Sequence, residues 1–394
     1  MNFYIITIVS ILVSTCLVAQ PVKDSNHYFI ADLHNDVISG VTMKGISIEK
    51  SLSGRTHTDI KRLSESGVGI QFFSIFCNER YGAGTAYRYA VRQIDSLDAL
   101  VERNPDKLYP ANSMTDIDHA LEAGKLAAMK GVEGGHMIED KIEYLDSLYN
   151  RGARYLTLTW NNSTAWASSA ADESSGKHPY GEYGLNEFGV RVVKRMNDLG
   201  MMVDVSHAGE KTFQDVISTT TKPIIASHSS VYSICPHPRN LKDYQIDAIA
   251  KNGGVIFVNF FSGFLDKNFD RRKASFDKRH KSGIDSLKNL SWNNYRIDEW
   301  LSVHFAKEYE ALRPNLSILI DHIDYLVKRA GINHVGLGSD FDGITSLPKE
   351  LSGVQDFYKV IDALRKRGYS PSDISKIAGE NFIRVFTEVT ALKN

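Results

Sequence analysis

Tyr28-Phe29-Ile30-Ala31-Asp32-Leu33-His34-Asn35-Asp36 is an apolar run that ends in a cluster of charge. A short run of apolar, β-branched or aromatic residues reads as a buried strand. In a doubly wound open sheet the turn after the first strand usually carries a Gly-rich phosphate loop. Here it carries Asp32, His34 and Asp36 instead. Residues two apart on a strand project to one side, so His34 and Asp36 are expected to chelate one ion together.

Outward from this segment the pattern repeats. Apolar runs at 69–76, 126–132, 154–160, 201–206, 223–227, 254–260 and 334–339 follow the first at 28–33. Stretches with helical spacing lie between them, clearest at 86–102, 187–198 and 318–330. Strands alternating with helices imply a parallel sheet, and eight such units is the number that closes a barrel. The expectation is an α/β fold, a (β/α)8 TIM-type barrel with C-terminal helices at 372–391. The connection between strands seven and eight, about 262–315, is far longer than a loop needs to be and reads as an insertion. Its basic run at 270–281 fits a solvated helix face, and 291–305 is rich in aromatic residues.

The chain of 394 residues is 42% hydrophobic and 24% charged, enough for a substantial core. Its 46 basic and 47 acidic residues leave a net charge of −1, so no global field draws in nucleic acid, and a small molecule is the expected partner. Residues 3–18 are almost unbroken apolar and run into Ala19, Gln20 and Pro21. We read 1–20 as a signal peptide and 21–394 as a single domain. Export to the periplasm or cell envelope, or secretion, follows; lipid attachment at Cys16 would be the route to a membrane. Cys77 and Cys235 then remain, too few for a disulfide framework.

Groups able to bind metal recur at the C-terminal ends of the runs, the catalytic face of such a barrel. Glu133 stands in Gly131-Val132-Glu133-Gly134-Gly135, where glycines let the chain turn and a carboxylate can bridge two ions. His207 and His228 close the fifth and sixth runs. Imidazoles with carboxylates suit Zn2+ best among common ions. Asp340, in Gly338-Ser339-Asp340-Phe341-Asp342-Gly343, can accept a proton from a bound water. Arg239, after the sixth run, can clamp a carboxylate through two hydrogen bonds.

Taken in order, Asp32 to Asp36, Gly131 to His136, Tyr155-Leu156-Thr157-Leu158-Thr159, Gly200 to His207, Ser227-His228-Ser229, Arg239-Asn240 and Gly338 to Gly343 resemble the motif series of the membrane (renal-type) dipeptidase family. The resemblance covers nearly all of the chain after the signal segment. It implies a binuclear zinc dipeptidase with two Zn2+ per chain. His34 and Asp36 match ligands of the first ion, Glu133 the bridging carboxylate, and His207 and His228 ligands of the second. It implies attack on the peptide bond of a dipeptide by a metal-bridging hydroxide, Asp340 as proton shuttle, Arg239 holding the C-terminal carboxylate, and a homodimer. At Trp160 the sequence departs from the family, whose zinc dipeptidases carry there a histidine that hydrogen-bonds the substrate and the developing oxyanion. Indole has one N–H donor and no acceptor, so Trp160 as a substrate-binding residue could replace only the donation. Two other readings stay open: a related barrel hydrolase acting on another small amide or lactone, and a metal-dependent peptide-binding protein without turnover.

Overall fold

The computed structural model describes residues 28–81, 84–292 and 294–391; the expected signal segment and Cys16 lie outside them. Its strands are β1 (Ile30–Asn35), β2 (Val68–Phe76), β3 (Leu108–Pro110), β4 (Leu126–Glu133), β5 (Ala153–Thr157), β6 (Met202–Asp204), β7 (Ile225–Ala226), β8 (Val255–Val258) and β9 (Val335–Leu337). β1 pairs with β2 and β9, β2 also pairs with β4, and from β4 onward each strand pairs with the next, all in parallel. The ring therefore closes on eight strands with helices between them, the expected (β/α)8 barrel. β3 lies outside that ring, against the first half of β4. Three residues ending in a proline carry no readable period, which is why the sequence does not announce this strand.

The helices follow their apolar spacing. Ala86–Arg103 buries Ala90, Ile94, Leu97 and Val101 along one face. Glu187–Leu199 starts where the Asn186 side chain accepts hydrogen bonds from the Phe188 and Gly189 N–H groups, and stops at Gly200 in the left-handed conformation. The C-terminal pair is Pro371–Ser375 and Asn381–Thr390, joined by a π-helical turn at Lys376–Glu380.

That last helix floors the barrel. Phe382, Val385, Phe386 and Val389 share one buried cluster with Ala31, Leu33, Phe72, Met129, Tyr155 and Phe257. The rings of Tyr155, Phe72 and Phe382 form a column, with centroids 5.2 and 5.4 Å apart at successive contacts. Arg384 of the same helix donates to the Gly253 carbonyl at the entrance to β8, so the plug sits at the N-terminal mouth and leaves the C-terminal mouth free. Gly131 makes room for the column: a Cβ there would lie 1.9 Å from the Tyr155 ring.

Between β8 and β9 the insertion is helical, with Ser262–Leu265, Phe269–Arg279, Lys281–Asn289, Asn294–His304 and Ala306–Glu310. It has its own apolar cluster, including Phe269, Phe276, Ile284, Leu301 and Tyr309. Within the basic run, Lys273 pairs with Asp277 and Asp298 at 2.7 Å each. No helix among the described residues is long and apolar enough to cross a membrane.

Candidate metal centre

At the C-terminal mouth the ends of β1, β4, β6, β7 and β9 bring six of the sequence-derived residues together. His34 Nε2 lies 3.3 Å from Asp36 Oδ2 and 3.5 Å from Glu133 Oε2. On the other side of that carboxylate, Glu133 Oε1 is 3.0 Å from His207 Nε2 and 3.5 Å from His228 Nε2. Glu133 thus stands between a His34–Asp36 pair and a His207–His228 pair. Asp340 joins the first pair: one donor atom from each of His34, Asp36 and Asp340 lies within 4.8 Å of the others.

The local backbone explains the convergence, and it corrects one expectation. Simple alternation along β1 does not align His34 with Asp36. The register of β1 against β2 slips between Asp32 and Asn35, and Asp36 lies past the strand end. Asp32 serves elsewhere, accepting from the Ser339 N–H and hydroxyl at 2.7 Å each and from Gln71 Nε2 at 3.0 Å, a clasp holding β1 to its neighbours. Asp36 and Asp340 meet because the β1–β9 ladder continues past the strands. Asp340 N–H donates to the His34 carbonyl at 3.0 Å and Asp36 N–H to the Phe341 carbonyl at 2.8 Å. Asp340 and His207 both adopt positive φ, 61° and 65°, a conformation uncommon for non-glycine residues.

Each imidazole is oriented by a partner on its Nδ1. The Tyr155 hydroxyl donates to the Leu33 carbonyl at 3.1 Å, so it accepts from His34 Nδ1–H at 2.8 Å. The Ser227 hydroxyl donates to Asp204 Oδ2 at 2.6 Å, so it accepts from His228 Nδ1–H at 2.8 Å. His207 Nδ1–H donates to Asn161 Oδ1 at 3.1 Å. Nitrogens committed as donors on the Nδ1 side turn all three Nε2 atoms toward Glu133 as prospective ligands. Sequence reading missed Asn161, Asp204 and the orienting parts of Tyr155 and Ser227. Only their positions beside the ligands in sequence hinted at these roles.

Electrostatics show what the cluster is built to hold. Burial alone raises the Glu133 carboxyl, but the three histidines outweigh it and hold it well below the usual range. Burial lowers His34, yet Tyr155, Asp36 and Glu133 together carry it well above 6.5. His207 is pushed down to about 4 by burial and by the Arg239 charge, and His228 is lowered by burial and His34. Asp340 is raised well above its ordinary value by burial and by Asp36. Three acidic groups packed on imidazole nitrogens require positive charge at their centre. The buried His34 Nε2 and Asp36 Oδ1 moreover have no hydrogen-bond partner among the described residues. Nitrogen and carboxylate donors in this arrangement fit divalent zinc.

Arg239 and Trp160 flank the cluster. Arg239 is 7% exposed, its guanidinium lies 5.4 Å from the Phe264 ring, and Nη2 donates to the His228 carbonyl at 3.3 Å. Its Nε has no hydrogen-bond partner among the described residues, and burial lowers its pKa to about 10. It lines a cavity of about 500 Å³ shared with His207, Tyr232 and Pro238. Trp160 packs on Phe76 with centroids 5.0 Å apart, lies 6.4 Å from His207, and walls a second cavity of about 540 Å³ with Asn161, Glu79 and Asp140.

Comparison with known proteins bears on kinship and fold. The sequence model of the membrane dipeptidase family (peptidase family M19) matches residues 20–394. Among solved structures, dipeptidase AC, a metallopeptidase, aligns with a TM-score of 0.75 at 23% identity over 93% of this chain and 100% of that one. A metallopeptidase from Rhodobacter sphaeroides, liganded with a phosphinate mimic of the dipeptide L-Ala-D-Ala, aligns at 0.75 and 22%, over 92% of this chain and 100% of that one. The probable dipeptidase PvdM from Pseudomonas aeruginosa aligns at 0.73 and 25%, over 92% and 95%. The likenesses below 25% identity speak for the barrel fold, and the family match over nearly the whole chain speaks for kinship. The chain belongs to the membrane dipeptidase family, peptidase family M19, a family of metal-dependent hydrolases.

Proposed function

We propose that this protein is an exported dipeptidase that hydrolyses the peptide bond of dipeptides with two zinc ions, one held by His34 and Asp36, the other by His207 and His228, and both by Glu133. Zinc bound there would supply Lewis acidity, lowering the pKa of a water and polarising the scissile carbonyl. The observation that carries the substrate class is Arg239. A guanidinium buried to 7% exposure, with Nε lacking a hydrogen-bond partner among the described residues, is costly to maintain. It becomes favourable once a carboxylate arrives, and a free C-terminus beside the metal centre is such a group.

The chain's own residues then divide the work. Arg239 binds the terminal carboxylate, so the second residue occupies the cavity beside Tyr232 and the first lies toward Trp160. Asp340, its carboxyl raised by burial and by the Asp36 charge, takes a proton from the attacking water and passes it to the leaving amine nitrogen. Trp160, with its ring 6.4 Å from that of His207, would line the side of the site that takes the first residue. The neutral imidazoles of His207 and His228 are kept available by burial. The apolar stretch at 3–18 supports export.

The test is a panel of L,L and L,D dipeptides with their N-acylated and C-amidated forms, assayed before and after chelation and with zinc restored. Zinc-restorable cleavage of the free dipeptides, with C-amidated forms spared, supports the reading. Metal bound at two per chain with no dipeptide cut would overturn it and turn attention to other small amides or lactones.

A further inference from the structure

Asp340 has a partner that the reaction outlined above does not use. Asn259, one residue past β8 and fully buried, donates from Nδ2 to Asp340 Oδ2 at 2.8 Å. Its amide cannot turn over, because Oδ1 accepts the Phe261 N–H at 2.6 Å. It is the one side-chain hydrogen-bond donor to that carboxylate among the described residues. The same Nδ2 faces the His228 carbonyl at 3.4 Å, the oxygen to which Arg239 also donates. On the other side of the carboxylate, Gly343 leaves space: a Cβ there would lie 2.4 Å from Asp340 Oδ1 and 2.2 Å from Asp36 Oδ2.

We infer that Asn259 is a positioning residue that ties Asp340 by Oδ2 and leaves Oδ1, the oxygen beside Asp36, to take the proton and hand it on. The inference rests on the reading of Asp340 as the proton shuttle. An aspartate has two free side-chain torsions, and a shuttle must meet first a water and then an amine without swinging away. One fixed oxygen restricts that swing, and holding a reacting group in place is worth one to several orders of magnitude in rate. The positioning contribution runs through the hydrogen bond to Asp340, so it vanishes when Asp340 is gone.

A double-mutant cycle tests this, with kcat and KM measured for Asn259→Ala, Asp340→Ala and the double variant, using single-turnover rates where activity is low. Zinc content, melting temperature and a crystal structure of Asn259→Ala accompany the kinetics. The expected result is a loss of about 10- to 100-fold in kcat for Asn259→Ala, with KM within about threefold and zinc content unchanged. The Asp340 carboxylate should be rotated in the crystal, and the double variant no slower than Asp340→Ala. Asn259→Ser, whose hydroxyl can still donate, should recover part of the rate, and it carries the cycle if the alanine variant does not fold. Losses that multiply in the double variant, or a kcat for Asn259→Ala within twofold of the parent, would overturn the inference while leaving the dipeptidase reading intact. A parent protein that cuts no dipeptide would sink both.

Discussion

Glu133 Oε1 lies 3.0 Å from His207 Nε2, so a carboxylate at the end of β4 reaches an imidazole beyond the end of β6. With Oε2 turned toward His34, this one side chain is common to both halves of the centre. Glu133→Gln keeps the shape and removes the charge. We expect it to bind less than half the zinc of the parent and to lose at least about 10³-fold in kcat, since it removes ligand and charge at once. Metal analysis alongside kinetics checks this; full zinc content with parental turnover would refute the bridging role.

The Ser227 hydroxyl passes the Asp204 charge to His228 through two short hydrogen bonds. Ser227→Ala leaves the ligand in place but frees its Nδ1. Loss of such an outer partner typically weakens metal affinity by about 10- to 100-fold. Competition against a chromogenic chelator should show that drop, with activity recovering at high zinc. An unchanged affinity would mean that packing alone orients His228.

Arg239→Ala should act on binding more than on chemistry. Its charged hydrogen bonds to a terminal carboxylate are worth about 1.5–3 kcal/mol. KM should therefore rise about 10- to 100-fold, and the discrimination against C-amidated dipeptides should disappear. A variant that keeps its KM and still rejects amides would place the carboxylate site elsewhere.

His322, on the helix Ser317–Ala330, gives a pH prediction away from the metal. Its Nδ1 accepts the Val231 N–H and its Nε2–H donates to the Leu265 carbonyl, both at 3.0 Å, so only the neutral ring satisfies both partners. Burial pushes its pKa down to about 4 from 6.5. Above pH 6.5 neither folded nor unfolded chain is protonated there, and the full stability is present. Between 6.5 and 4 the unfolded chain takes up the proton first, so stability falls with falling pH, by about 2 kcal/mol at pH 5. Urea unfolding at pH 7.5 and 5 should show a loss smaller by roughly this amount in His322→Asn than in the parent. Equal losses would show that His322 is not an acid-sensitive point.

Much of this was legible in the sequence because the chemistry lies at strand exits. Eight apolar runs mark the barrel, and His34, Glu133, His207, His228 and Asp340 stand where those runs end, so order along the chain maps onto one mouth. What was not legible depends on contacts between distant segments. The parity slip in β1 appears only against β2, and the part Asp32 plays appears only once Ser339 and Gln71 are seen to donate to it. Asn259 gives no signal at all, since a buried asparagine after an apolar strand is as readily a turn residue. The insertion was visible as excess length, but its helices and separate apolar cluster follow from packing.

The most direct test of the central claim is to strip the protein of metal and titrate it with zinc while following bound zinc and dipeptide hydrolysis together. This account predicts negligible turnover in the metal-free chain, activity that levels off at two zinc ions per chain, and no such rise in Glu133→Gln. Full turnover in the metal-free chain, or saturation with one ion per chain, would contradict it.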